Sequence, residues 1–379
     1  MAETPNQRGP IAVYGATGYT GRLIAAELKA AGADFALAGR NAQKLDSLAA
    51  ELGGDIRTQA VSLDDEAGLR SLLSDCSAVI ACAGPFTLHG EPVLKAAVET
   101  STHYLDTTGE QPYIRMAFEK YGPLAEKAGS VVIPAMGFDY FPGDMIASLT
   151  ASGMGEVDEV VLAYAVAGFG ATRGTILSAL ETLKGGDVEW RKLQWMPASQ
   201  NVGRGTFDFG EPIGRQRMGR YPAGEQITVP RHVRTRRVQT MITISTFAPG
   251  PLGIMFAPLT RPTQLLLRTP LRKALGAVIS RLPEGPSESD RAAARFTIAC
   301  DVIRGQRKRR GVIRGSDVYG LTAASLVQGA LIASQGGITR SGALAPSEAF
   351  PVEEFLGRLR RFDIDWQLDE ERETVPAEA

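Results

Sequence analysis

The stretch "IAVYGATGYTGRLIAAELKAAG", Ile11 to Gly32, decides the fold. Ile11-Ala-Val-Tyr14 is a short apolar run with the character of a buried parallel strand. Gly15, Gly18 and Gly21 follow at a spacing of three, then helix formers from Arg22 to Ala31, with Gly32 as a stop signal. A strand, a glycine turn and a helix in that order aim unpaired backbone N–H groups and the positive end of a helix dipole at a phosphate. Glycines are required where a Cβ would block close approach of a pyrophosphate. The spacing here is GxxGxxG, one residue longer between the first two glycines than GxGxxG. The turn reads as a dinucleotide site made of Gly15, Ala16, Thr17, Gly18, Tyr19, Thr20 and Gly21.

Working outward, "FALAGRN" is a second strand ending near Ala38, where an acidic ribose reader is expected for NAD. Arg40 stands in that region, followed by Asn41 and Lys44. A guanidinium matches a 2′-phosphate through paired charge-assisted hydrogen bonds, so Arg40 and Lys44 point to NADP. The rhythm continues with strands in "RTQAVSL", "SAVIACAGPF", "HYLDTTGE" and "SVVIPAMGFDYFPGDM", and helices between them. Strands alternating with helices at this pitch predict a parallel sheet covered on both faces.

Ligands of such sheets bind beyond the carboxyl ends of the strands. That rule selects three loops. Ala83, Gly84, Pro85 and Phe86 are expected to line the nicotinamide side. Asp106 and Glu110 flank "TTG", as acid–base groups or as loop anchors. In "GFDYFPGD", Asp144 precedes an apolar helical run and reads as its N-cap. Asp139 and Tyr140 are better placed for chemistry, since a phenol can donate to a developing oxyanion. Tyr140, Asp139 and Asp106 are therefore the catalytic candidates; a plain core role for the tyrosine is the competing reading.

With 379 residues, 22% charged and 44% hydrophobic, the chain has room for two domains of ordinary globular composition. The opening "MAETPNQRGP" is polar, so no secretory leader is expected. Cys76, Cys82 and Cys300 show no disulfide framework, which suits a cytoplasmic location. His89, His103 and His232 have no partner at ligand spacing, and no metal is expected. The net charge of −1 hides an asymmetry: Pro212–Arg314 holds 20 Lys+Arg against 5 Asp+Glu, or +15, leaving −16 for the remainder. Such a segment favours an anionic partner.

"GATGYTGRLIAAELKAAG", "LAGRNAQKL", "CAGPFTLHGEPVLKAAVE", "HYLDTTGEQPYI" and "IPAMGFDYFPGDM" together resemble the saccharopine dehydrogenase-like superfamily, and within it the mycobacterial and actinobacterial trans-acting enoyl reductase branch. The likeness is dense over Ile11–Ser148 and looser in "VAGFGATRGTILSALE" and "SGALAPSEAFPVEEFLGRL". It implies a Rossmann domain completed by C-terminal elements with a mixed-sheet domain inserted, and NADP bound through Gly15–Gly21 and Arg40. It implies a reaction at a C–N bond of amino acids or at a C=C bond of lipids and polyketides; some members are associated with lipid droplets. It carries no catalytic residue to this chain.

From Val157 onward, "EVDEVVLAYAVAG" and "RRVQTMITISTF" read as strands of a separate substrate or dimerisation domain, with a helix over Thr175–Leu183. The expected fold is thus α/β: a Rossmann-type parallel sheet over 1–148, an inserted α+β domain with a mixed or antiparallel sheet over 149–319, and 320–379 returning to the Rossmann domain. "FAPGPLGIMFAPL", Phe247–Leu259, is apolar but too short and proline-broken to span a bilayer. After Pro270, Leu271, Leu275, Val278, Ile279 and Leu282 form an apolar stripe beside Arg268, Arg272, Lys273 and Arg281. That is a basic amphipathic helix, an interfacial anchor or a helix docked on its own domain or across a homodimer. "RGQRKRRGVIRG", Arg304–Gly315, extends the basic field and reads as a solvated loop; without a recognition motif, nucleic acid is not the expected partner.

Three functions compete. The first is NADPH-dependent reduction of an activated C=C bond in a small-molecule or carrier-bound acyl substrate, with the segment Phe247–Arg314 facing anionic lipid, an acyl carrier or a coenzyme A phosphate. The second is a saccharopine-type amino-acid oxidoreductase, with Arg173, Arg231 and Arg234 as carboxylate clamps. The third is a non-catalytic lipid-surface protein that retains the fold.

Overall fold

The structure is a computed structural model, described for residues 9–182, 187–198, 205–246, 279 and 284–373. It divides into two compact units. The first contains Met1–Thr108, Tyr113–Gly137 and Tyr319–Phe350; the second contains Gly109–Pro112, Phe138–Val318 and Pro351–Ala379.

The first unit holds strands β1 (Ile11–Tyr14), β2 (Phe35–Gly39), β3 (Arg57–Ala60), β4 (Ala78–Ala81), β5 (His103–Asp106) and β6 (Val131–Ile133). These are joined late in the chain by Gly342–Ala343, which becomes β15 in chain order. The sheet order is β15-β6-β5-β4-β1-β2-β3, every pair parallel. Strands β1, β2 and β4 are buried at every position because helices cover both faces, which is why they read as unbroken apolar runs. The helix Tyr19–Ala30 buries Ile24, Ala25 and Leu28, a one-sided stripe. The helix Val318–Ser334 docks through Gly329, where a Cβ would lie 2.9 Å from Leu105. Its Ser325 hydroxyl donates to the Met136 carbonyl at 2.8 Å.

The second unit is built on β7 (Glu159–Ala167), β10 (Thr206–Asp208), β11 (Arg215–Arg220), β12 (Val238–Thr243), β13 (Arg295–Arg304), β14 (Arg307–Ser316), β16 (Asp365–Leu368) and β17 (Arg372–Glu373). The order is β10-β11-β12-β7-β13-β14-β16, with β17 also on β14. Only the β7–β12 pair is parallel, so the sheet is mixed, as expected. A separate hairpin pairs β8 (Val188–Arg191) with β9 (Gln194–Pro197). Alternation along β7 places Val160, Leu162 and Tyr164 on one face and Val161 and Ala163 on the other. The second face carries an apolar cluster with Phe207, Phe209, Met218, Ala299 and Val312.

Several sequence expectations are corrected. The first unit gives up its chain at Gly137, short of residue 148, because the helix Phe141–Ala151 packs on β13 and β14 of the mixed sheet. Of the C-terminal elements only Tyr319–Phe350 joins the parallel sheet; the residues from Pro351 onward add β16 and β17 to β14. The basic run is not a loop but β14 itself, and its cations are used internally. Lys308 and Arg310 both bind the buried Asp301 carboxylate at 2.6 Å, and Arg309 donates to the Ser152 carbonyl at 2.7 Å. Asp144 does not cap its helix: it lies in the first turn and pairs with His232 instead. Phe247–Leu259 and the basic amphipathic stripe, apart from the buried Ile279, lie outside the described residues. Among the described residues no helix is long and apolar enough to cross a membrane.

Candidate functional site

Two constellations concentrate the chemistry, one in each unit. In the first, the strand order brings the carboxyl ends of β4, β1 and β2 side by side. The three turn glycines are there for different reasons. Gly15 adopts φ +85°, a conformation side chains resist, and sits against the Cys82–Ala83 backbone at 3.1 Å from a Cβ position. Gly21 is required by packing, since a Cβ would come within 2.8 Å of the Ala16 Cα. Gly18 needs neither: its φ is −78°, and the nearest atom to a Cβ is 3.4 Å away. Gly18 is exposed, so the space in front of it is what its missing Cβ keeps open for a ligand. It is also the N-cap of the helix Tyr19–Ala30, which has no side-chain cap and no acidic residue in its first turn. That end suits an anion.

Tyr14 fixes the floor of this region through its hydroxyl, which donates to the Val61 carbonyl at 3.1 Å. Burial raises its pKa, against the opposing field of Arg40. Arg40 itself is exposed between the end of β2 and Asn41, whose side chain accepts from the Lys44 N–H at 3.0 Å. Arg40 thus stands at the position of a ribose or 2′-phosphate reader, with Lys44 exposed in the first turn of the next helix. Ala83 and Gly84 are open at the end of β4, while Pro85 and Phe86 are buried. The Phe86 ring packs on Tyr113 with centroids 5.4 Å apart. Cys82 lies beside this loop, and burial pushes its thiol far above the ordinary range. The residues expected to hold a dinucleotide are brought together on adjacent strands, and they fit one.

Asp106, at the end of β5, is fully buried, and its Oδ1 accepts from the Thr108 N–H at 2.9 Å and the Ala135 N–H at 3.0 Å. It belongs to the first unit, whereas Asp139 and Tyr140 belong to the second.

In the second unit the buried Tyr140 and Tyr164 group with the half-buried Tyr221. The Tyr164 and Tyr221 rings meet edge to face at 5.3 Å, and Tyr221 and Tyr140 lie 5.9 Å apart. The Tyr140 hydroxyl donates to the Gly109 carbonyl at 2.6 Å, and the Tyr221 hydroxyl to the Asp139 carbonyl at 3.4 Å. Tyr164 donates to Glu225 Oε1. Glu110 accepts from the Ser178 hydroxyl at 2.9 Å, and Gln111 ties the segment down through the Ala223 carbonyl at 2.7 Å. Burial raises all three phenols well above their ordinary pKa, with Asp139 and Glu225 reinforcing the effect at Tyr140. Burial likewise pushes Asp139 up to about 6 and Glu225 well above the carboxylate range. Burial thus favours the protonated form of each of these groups, and a protonated phenol is what donation requires.

Glu225, Tyr164 and Tyr221 were not singled out by sequence reasoning. The sequence offers one faint signal for Tyr164, a polar tip on the buried face of an apolar strand, and none for Glu225 in "AGEQITVP". Of the cationic clamps, Arg173 is engaged by Glu284 at 2.7 Å, and Arg231 and Arg234 are exposed.

The first unit, a parallel sheet with a glycine turn against a helix N-terminus, is a dinucleotide-binding domain of the Rossmann class. More particularly, residues 11–133 match the family described as the saccharopine dehydrogenase NADP binding domain. The chain is similar to a Mycobacterium tuberculosis protein provisionally named a trans-acting enoyl reductase, 34% identical over 194 residues, covering 48% of this chain and 46% of the relative. It is also similar to a Caenorhabditis elegans protein named for lipid droplet localization, 36% identical over 149 residues, 36% of this chain and 35% of the relative. These matches span less than half the length of each relative. Its fold is that of the apo saccharopine dehydrogenase (L-Glu forming) of Saccharomyces cerevisiae, with TM-score 0.59 at 14% identity, over 96% of this chain and 99% of that one.

Proposed function

We propose that the chain is an NADPH-dependent oxidoreductase that reduces an activated C=C bond in a lipid- or polyketide-type acyl substrate. The observation that carries this reading is the buried Tyr140 phenol, held by Gly109 beside Asp139 and Tyr221. A neutral, buried donor suits an enolate oxygen, whereas an amino-acid substrate needs cations to clamp its carboxylates. The ionisable groups acting on Tyr140 are Asp139, Glu225, Glu110 and Tyr221, carboxyls and a phenol, a poor host for such a substrate. The mycobacterial relative's name supports the same reaction class.

When bound, a reduced nicotinamide would supply the hydride for the β-carbon. The chain's own residues do the rest. Gly15–Gly21 and the helix N-terminus would hold its pyrophosphate, and Arg40, with Lys44 in the next helical turn, would select a 2′-phosphate. Tyr140 steadies the negative charge on the substrate oxygen and gives up its proton, with Asp139 setting its local field. The lipid-droplet name of the nematode relative supports work at a lipid surface or on a carrier-bound acyl chain.

The test is fluorescence titration with NADPH and NADH, followed by NADPH oxidation assays. Crotonyl-CoA probes enoyl thioesters; lysine with 2-oxoglutarate probes C–N chemistry. Tight NADPH binding with crotonyl-CoA turnover supports the reading. Turnover of the amino-acid pair alone would replace it with the saccharopine-type reaction, and tight binding without turnover would favour a non-catalytic lipid-surface role.

A further inference from the structure

The hairpin that pairs β8 with β9 carries the wrong residues for its own turn. Arg191 faces Gln194 in register, so the loop is only Lys192 and Leu193. Both lie in the left-handed region, at φ 54° and 63°. Positive φ at both central residues is the type I′ hairpin turn, which Asn-Gly supplies without strain. Lysine and leucine each bring a Cβ that this conformation crowds. Leu193 is also 59% exposed, the most exposed of the large hydrophobic residues described. A turn that strains the backbone and leaves a leucine in water has its reason outside the fold.

The base of the hairpin is firmly tied to the second unit. Gln111 Oε1 accepts from the Val188 N–H at 2.8 Å, and Gln226 Oε1 from the Trp190 N–H at 2.9 Å. Trp190 and Trp195 face each other across the strands, their rings edge to face at 5.6 Å. Their indole N–H groups donate to the Thr235 carbonyl at 2.8 Å and the Gln226 carbonyl at 3.1 Å. Trp195 and Met196 remain half-exposed behind the tip. The surrounding acids are already matched: Glu189 lies beside Arg191, Glu156 and Asp158 beside Arg236, and Glu159 beside Arg237. Lys192 and Arg234, which adjoins Thr235, are exposed and enter no ion pair among the described residues. The tip therefore offers water an apolar side chain with two unmatched cations nearby.

We infer that this hairpin tip is an anchor for an anionic phospholipid surface, with Leu193 entering the layer and Lys192 and Arg234 meeting its phosphates. A stable protein interface takes roughly 800 Å² from each partner, far more than a two-residue tip presents. A lipid layer has no shape to match, and it accepts a small apolar group flanked by cations. A second copy adding a strand to β9 is disfavoured, because that strand is short and ends in the exposed Pro197. The inference rests on the lipid-surface part of the proposed function and needs no step of the reduction.

The test is co-sedimentation of the full chain with vesicles of phosphatidylcholine alone, and of phosphatidylcholine with an equal part of phosphatidylglycerol. Binding is expected to the second and to be weaker to the first, with tryptophan fluorescence quenched when the lipids are brominated. Leu193→Gly should weaken binding about tenfold, the worth of one leucine withdrawn from water. Combining it with Lys192→Asn installs the preferred turn, so this double variant should lose binding while its melting temperature rises. No binding by the wild-type chain, or equal binding by the double variant, would overturn the anchor. So would a lower melting temperature, which would assign Lys192 and Leu193 to the fold, or a wild-type dimer that the double variant dissolves without any vesicle binding. Crotonyl-CoA turnover in solution should be the same in both chains. Its absence from both would sink the reduction, and the vesicles would still decide the anchor.

Discussion

The Tyr140 hydroxyl donates to the Gly109 carbonyl oxygen at 2.6 Å, closing a contact between residues 31 apart in sequence. Gly109 follows the end of β5 and Tyr140 the end of β6 by a few residues. A Cβ at Gly109 would lie 3.5 Å from the phenol oxygen and 3.6 Å from Asp139 Oδ2, in ordinary van der Waals contact with both.

Tyr140→Phe removes the donor and leaves the ring. If the phenol protonates the substrate, turnover should fall by about 10²–10⁴ with NADPH affinity unchanged. Losing one hydrogen bond should cost about 1 kcal/mol of stability. Steady-state kinetics beside a denaturant melt separate the two effects.

Arg40→Ala should weaken NADPH binding by roughly tenfold or more, the worth of charge-assisted hydrogen bonds to a phosphate, and leave NADH binding alone. The side chain is exposed, so the melting temperature should hold. Equal losses for both nucleotides would remove Arg40 from the 2′-phosphate.

Gly18→Ala and Gly21→Ala should part company. The first meets no atom closer than 3.4 Å and should fold normally while losing nucleotide affinity; the second drives a Cβ to 2.8 Å from the Ala16 Cα and should destabilise the turn itself. Overpacking of this kind costs about 1–3 kcal/mol. Thermal melts with and without NADPH tell them apart.

Stability should rise as pH falls from about 8 toward about 5. Asp139, pushed up to about 6, and Glu225, raised further, bind protons more tightly folded than unfolded. Their protonation therefore stabilises the fold at low pH, and the benefit is lost as pH rises through the folded-state values. For half-buried Asp139 the swing is at most about 3 kcal/mol. Glu225→Gln should flatten the profile; a wild-type melting temperature that instead falls over this window would contradict the protonated cluster.

Asp301→Ala should destabilise by about 3–5 kcal/mol, because the buried carboxylate is what Lys308 and Arg310 neutralise. A mild effect on folding with a large effect on binding anionic vesicles would return these cations to a surface role.

Local chemistry made much of the first unit legible. The turn Gly15–Gly21, Arg40 after β2 and the loop Ala83–Phe86 are each specified by a few adjacent residues, and strands buried on both faces announce themselves as apolar runs. Asp144 misled because a carboxylate before an apolar run is normally a cap, and only the approach of His232, 88 residues on, gives it another partner. The basic run misled for the same reason. Arginines on β14 look solvated until Asp301, across the hairpin, and the Thr150 and Ser152 carbonyls are brought to them.

What the sequence by itself determined is the dinucleotide turn and its sheet, because glycine placement, helix dipole and strand burial act over spans of about twenty residues. The tertiary structure alone decided the acid cluster. Tyr140, Tyr164 and the pair Tyr221 and Glu225 come from three separate segments, and their proton affinities follow from burial that no single segment provides.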